Sequence, residues 1–241
     1  MSDLTEPVDE TETEAAVSIP GTVSIGTALW QNPLVGLEPR RTAATAVILG
    51  CFSLLFAVSH AGGVVTVGGQ PIDTTTTLFD SLSAFVIVFA VALIVAGPIG
   101  YAVWNGGPVG AVVVALAPVV LGEMATGRYA LGLDGAMAMT TGVVGCVLGL
   151  YVVDVRETAT LRPWRVRTCS RAQLLLVTAI ALIGVASVAR FVSSAPDLLW
   201  GIYAPFAVLW LVPMGVLGRY WLAHARGTDS SRSTGAGSDA S

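Results

Sequence analysis

The stretch "DGAMAMTTGVVGCVLGLYVV", residues 134–153, decides the fold. From Gly135 to Val153 it carries no charge. Crossing a hydrocarbon core of about 30 Å takes roughly 20 helical residues, so this run is long enough to span a bilayer. Gly135, Ala138, Gly142, Gly145 and Gly149 recur at alternating steps of three and four, which places them on one helix face. Burial of apolar surface gives helices little reason to associate in lipid, and small residues compensate by letting backbones approach. The preceding apolar run echoes the pattern with Ala111, Ala115, Pro118, Gly122 and Ala125. The two runs are antiparallel neighbours, so seam against seam is the expected packing, with a homodimer interface as the alternative.

Working outward, five further runs of similar length lie near 42–60, 79–104, 108–127, 172–192 and 197–222. The fold class expected is all-α: a polytopic integral membrane protein with a six-helix transmembrane bundle over 42–222. An acidic, disordered N-terminal arm (1–41) and a polar, disordered tail (223–241) flank it. Composition agrees: hydrophobic residues are 54%, charged residues 12%, and mean hydropathy is +0.76. A soluble domain carries about 25% charged residues. Residues 15–37 are uncharged, but Pro20, Gln31, Asn32 and Pro33 dilute them, which favours a cytoplasmic or interfacial arm over a seventh or re-entrant segment.

Local signals mark several boundaries. Thr77-x-x-Asp80 and Ser194-x-x-Asp197 fit a capping box, Asp134 can cap its helix, and Pro108 suits a first helical turn after the tight turn "WNGGP". Pro205 and Pro213 each remove a backbone hydrogen bond and predict a kink in the last span. With the N-terminus inside, ten of the twelve arginines fall on inner segments, and only Arg128 and Arg190 lie outside. The positive-inside rule then places both termini in the cytoplasm, with the cell membrane as the location. Trp104, Tyr151, Tyr220 and Trp221 fall at the inner interface, and Tyr129, Trp200 and Tyr203 at the outer one.

All twelve basic residues are arginine, and the net charge is −4 with a pI near 5.1. Acid-rich tails with no lysine resemble the usage of extreme halophiles, although a GC-rich genome also favours arginine. The first fourteen residues hold six acids and no base, so no cleaved signal peptide is expected. Without lysine there is no retinal or pyridoxal Schiff base and no P-loop, so no cofactor is expected. Three scattered cysteines suit neither disulfides nor zinc. Cys51 and Cys146 read as packing residues, and Arg167 and Arg171 beside Cys169 would lower its pKa. His60 and His224 lie at opposite ends and cannot share a metal. Neither HExxH nor GxSxG is present, and the spans hold no paired aspartates, so an enzyme is not expected. A rhomboid-like protease would need a nucleophile motif and an inward histidine that are missing.

Three groups of residues are candidates for function. Glu123 lies about 22 Å along its helix from Pro108, in the outer third of a bilayer, where Arg128 and Arg190 reach the same level. Its helical neighbours Val112, Leu116, Val119, Val120 and Gly127 supply no polar path, so a structural, arginine-paired role is favoured. The inner loop 156–171 carries Arg162, Arg165, Arg167 and Arg171, which set topology or contact anionic lipid headgroups or an acidic partner. The outer loop 61–78 alternates Val and Thr around Gly-Gly, as a short hairpin does. With no soluble domain there is no scaffold for nucleic acid. The expected partners are the lipid bilayer and a membrane protein or second copy. The function expected is a non-enzymatic accessory subunit of a membrane assembly in a halophilic prokaryote; the alternative is a small permease or channel using Glu123 and Arg190.

Overall fold

Prolines open three of the helices. The computed structural model describes residues 32–61, 66–67, 70–71, 76–126, 132–166, 169–194 and 196–235. Within them run α1 (Pro39–Ala61), α2 (Thr76–Asn105), α3 (Pro108–Thr126), α4 (Leu133–Thr158), α5 (Arg171–Ser194), α6 (Pro196–Ala207) and α7 (Leu211–Gly235). Pro39, Pro108 and Pro196 stand at first helical positions, where a missing N–H costs nothing and the fixed φ suits the helix. Gly106, at φ +72°, turns the chain out of α2 in the left-handed conformation that glycine adopts without strain. A two-residue antiparallel ladder, β1 (Thr66–Val67) with β2 (Gln70–Pro71), links α1 to α2 and forms the expected hairpin.

Among the described residues, four stretches are long and apolar enough to cross a membrane: Ala84–Asn105, Leu133–Thr158, Arg171–Ser194 and Gly201–Arg226. Pro108–Leu121 is a shorter apolar helix. The centre is α4, which packs on α2 and α3 with one face and on α5, α6 and α7 with the other. Its apolar window is 67% buried, against 22% for α5 and 17% for the last stretch, so α4 is the axis and the others are its wall. The first face is built of small residues. A Cβ on Gly142 would sit 3.0 Å from the Cβ of Ala115, and one on Gly145 would sit 2.8 Å from the Pro98 carbonyl oxygen. One on Gly149 would sit 3.0 Å from the Pro108 nitrogen. The seam therefore serves two neighbours, α3 through Gly142 and Gly149, and α2 through Gly145. Gly135 and Ala138 are buried along the same side, Ala138 against Ile94 and Val119. The second face is β-branched and aliphatic, with Val143, Val147 and Leu150 against Leu174, Val177, Leu217 and Tyr220.

Several boundaries differ from those read in the sequence. The N-terminal arm does not extend to residue 41: α1 begins at Pro39, and residues 32–38 are held against α2 and α3. The polar tail expected to be disordered from 223 is helical backbone as far as Gly235. No proline interrupts it, and extending an existing helix avoids the cost of nucleation. The last span is two helices joined by a 3-10 turn, Val208–Trp210. Pro213 has no N–H to offer the Leu209 carbonyl, and the ladder tightens there instead. Ser194 ends α5 and donates back to the Phe191 carbonyl at 2.8 Å, so it does not cap the next helix. Asp134 lies inside the first turn of α4, whose cap position is Gly132.

Candidate functional site at the basic end

A helix leaves its last four carbonyls without intrahelical donors, and the end of α2 shows where they go. The Ala102 carbonyl accepts the Gly106 amide at 2.9 Å, and that of Val103 accepts an Arg156 guanidinium N–H at 2.8 Å. The Trp104 carbonyl accepts from Arg41, and that of Asn105 accepts the Leu37 amide at 2.9 Å. Two cations thus stand at the negative end of the helix dipole. Arg41 also pairs with Glu38 at 2.6 Å and lies 5.6 Å from the Trp104 ring centre.

Residues 34–38 form a strap across this end. Val109 N–H donates to the Leu34 carbonyl at 2.9 Å, and the Tyr101 hydroxyl donates to the Val35 carbonyl at 2.6 Å. The approach is so close that a Cβ on Gly107 would sit 1.7 Å from the Val35 oxygen. Asn105 is the fully buried hub. Its Oδ1 accepts the Glu38 amide at 3.0 Å, while its Nδ2 donates to Thr42 Oγ1 at 2.9 Å and to the Tyr101 hydroxyl at 3.0 Å.

Behind the strap lies a cavity of about 290 Å³, lined on its polar side by Asp154, Glu157, Cys169, Ser170 and Gln173 and closed by Leu34 and Leu37. Asp154 is only 9% exposed and stands beside the Tyr220 hydroxyl and the Cys169 thiol. Burial, and then the Asp154 charge, push the Cys169 thiol up to about 11. This corrects the expectation of a lowered pKa: burial beside a carboxylate raises it. Ser170 caps α5, accepting the Gln173 amide at 3.2 Å and donating to Gln173 Oε1 at 3.0 Å. Ser170-x-x-Gln173 is a capping signature legible in the sequence. The cavity offers two carboxylates and amide and hydroxyl groups, with no activated nucleophile. Among the described residues, no group of three His, Cys, Asp or Glu gathers to hold a metal.

The basic loop is only partly brought together. Arg162, Arg165 and Arg171 are exposed, and Arg167 lies outside the described residues. Arg165, on the 3-10 turn Pro163–Arg165, lines a second recess of about 490 Å³ with Trp164 and with Arg219 and Arg226 of α7. At the other end, Arg190 is exposed near the end of α5. Glu123 belongs to α3, but its side chain, and Arg128 entirely, lie outside the described residues.

Polar groups in the middle of the bundle bind one another. The Thr140 hydroxyl donates to the Ala136 carbonyl at 2.8 Å, so Tyr203 donates in the 2.7 Å bond between their hydroxyls. Tyr203 in turn accepts Trp210 Nε1–H at 2.9 Å. Thr141 donates to the Ile94 carbonyl of α2 at 2.5 Å, and Thr178 accepts Trp221 Nε1–H at 3.1 Å. Tyr203 and Tyr220 are therefore core residues and not the interfacial anchors expected from their positions in the chain. Cys51 is exposed, since α1 packs on α2 and α3 by one face only, whereas Cys146 is buried. Compared with protein-family models, curated proteins and solved structures, the chain matches none.

Proposed function

We propose that the chain is a six-span integral membrane protein of the cell membrane, with both termini cytoplasmic, acting as a non-enzymatic accessory subunit of a larger membrane assembly. The observation that carries this reading is how the polar groups around α4 are used. Thr140, Tyr203 and Trp210 form one bonded set, and Thr141 bonds to the neighbouring helix. These groups hold helices together, and among the described residues they leave no ladder of polar sites for a solute to follow. The outer faces support an embedded bundle, since Val88, Leu54, Leu182 and Ile183 are each more than half exposed. The arginine-only, acid-tailed composition supports a halophilic prokaryote as the source.

Purification from native membranes in mild detergent, with mass spectrometry of what remains bound, tests the reading. A stoichiometric membrane-protein partner supports it, and a chain that emerges alone overturns it. Topology has its own test: a cysteine at Gln70, in the hairpin, is to be labelled from outside the cell. Labelling only after the membrane is opened would reverse the orientation.

The broken last span favours a second reading, a small permease. Transporters place discontinuous helices near their substrate sites, and Val208–Trp210 interrupts the span beside the Thr140–Tyr203–Trp210 set. With Glu123 and Arg190 as its charged groups, this reading requires that Glu123→Gln or Arg190→Ala change flux in reconstituted vesicles.

A further inference from the structure

We infer that the recess walled by Trp164, Arg165, Arg219, Leu222, Ala223 and Arg226 binds a phosphate group, the chemistry shared by a phospholipid headgroup and free phosphate. Three arginines line one space of about 490 Å³, and the described residues that line it include no carboxylate. The planar forks of arginine suit phosphate oxygens in pairs. Two parts of the fold converge to build the arrangement. Arg219 and Arg226 are two helical turns apart, on one side of α7. Arg165 comes from the 3-10 turn, which Trp164 fastens to the core by lying edge-on to Tyr220 at 6.1 Å and near Tyr151 at 6.1 Å. Pro163, in the same turn, is fully buried. The frame is therefore rigid although the arginines themselves are exposed.

Trp164, Leu222 and Ala223 add an apolar wall beside the charges, as a headgroup with its glycerol backbone requires and free phosphate does not. The recess also lies at the end where most arginines gather, the leaflet side rich in anionic lipid if the membrane reading holds. Of the described loop arginines singled out as headgroup contacts (Arg162, Arg165 and Arg171), Arg165 belongs to this recess. Arg219 and Arg226 complete it from a helix about fifty residues further on.

The test uses the full chain in neutral detergent, with two probes. In the first, phosphatidylglycerol and phosphatidylcholine are added, and retained lipid is counted by native mass spectrometry. In the second, inorganic phosphate is titrated while tryptophan fluorescence is followed. Preferential retention of phosphatidylglycerol is expected, falling about fivefold in Arg165→Gln and again in Arg219→Gln. Arg162→Gln and Arg171→Gln, which remove equal charge outside the recess, leave retention unchanged. A saturable response to inorganic phosphate that is lost in Arg165→Gln assigns the site to free phosphate. No preference for either probe overturns the proposal, as does an equal loss in the Arg162 and Arg171 variants. If a glutamine variant does not fold, Arg165→Lys with Arg219→Lys keeps the charge and loses the paired hydrogen bonds. Retention by that variant must fall for the proposal to stand.

Discussion

Glu38 and Asn105, 67 residues apart, are joined by a 3.0 Å hydrogen bond from the Glu38 amide to the Asn105 side-chain carbonyl. Through it the strap is fixed to the end of α2, and the same asparagine ties Thr42 of α1 and Tyr101 of α2 together. A buried donor left without an acceptor costs about 1–3 kcal/mol, and Asn105→Ala leaves the Glu38 amide in that state while removing two further bonds. The expected loss is about 3 kcal/mol, read as a lowered melting midpoint in detergent, with faster tryptic cleavage after Arg40 and Arg41. Thr42→Val removes one acceptor of Asn105 and the longer 3.3 Å bond from Thr42 to the Glu38 carbonyl, and is expected to cost about 1 kcal/mol. Equal midpoints for the two variants would show that Asn105 is not the hub.

Glycines facing neighbours and glycines facing outward are expected to respond in opposite directions. A Cβ on Gly145 meets the backbone and ring of Pro98, which sits inside α2 and has nowhere to move. Gly145→Ala is expected to destabilise by about 2 kcal/mol. Gly215 and Gly218 have nothing within 4 Å of the same position. Alanine there is expected to be neutral or to stabilise by about 0.5–1 kcal/mol, since it restricts the unfolded chain. Thermal midpoints of the three single variants decide the matter.

Local periodicity accounts for what the sequence made legible. Spacing alone places Gly135, Ala138, Gly142, Gly145 and Gly149 on one helix face, and that face is buried in the structure. Spacing says nothing of which neighbour each residue meets, so the contact of Gly145 with Pro98 could not be read from it. The polar-looking stretch 32–38 resembles a loose arm because its partners, Asn105 and Tyr101, are non-local. Asp154 carries no signal of a site in the sequence, because a charge conventionally ends a span. The helix continues to Thr158, and the residues that enclose Asp154 come from elsewhere in the chain: Cys169 ahead of α5, and Tyr220 of α7. The bundle could be read from single elements, whereas the enclosed sites depend on pairs that no window contains.

Cys169 is expected to resist thiol reagents at neutral pH. Its pKa, pushed up from the ordinary 9.0 to about 11 by burial and then by Asp154, leaves little thiolate at pH 7–8. Because the folded value is the higher one, its contribution to stability is fully present below about 9 and is lost as pH rises through about 11. Maleimide labelling across that range is expected to rise most steeply near the upper value. Asp154→Asn removes a charge that disfavours the thiolate and shifts the rise to lower pH. A profile unmoved by that substitution would separate the two residues.

Tyr203→Phe distinguishes a structural use of the polar set beside the broken span from a transport one. The substitution keeps the ring and removes the hydroxyl, leaving Trp210 Nε1–H without its acceptor and Thr140 without its incoming hydrogen bond. Hydrogen bonds between membrane helices average about 0.6 kcal/mol and reach about 1.7, so two lost together are expected to cost about 1–2 kcal/mol. Thr140→Val removes one end of the set. Because both substitutions remove the same Tyr203–Thr140 bond, the two together are expected to cost less than their sum. If the set only clamps α4 to α6 and the 3-10 turn, midpoints fall with this non-additivity and vesicles stay impermeable with or without the hydroxyl. If the break is a gate, Tyr203→Phe changes the rate of solute flux by more than its effect on the midpoint accounts for, and the permease reading displaces the accessory one.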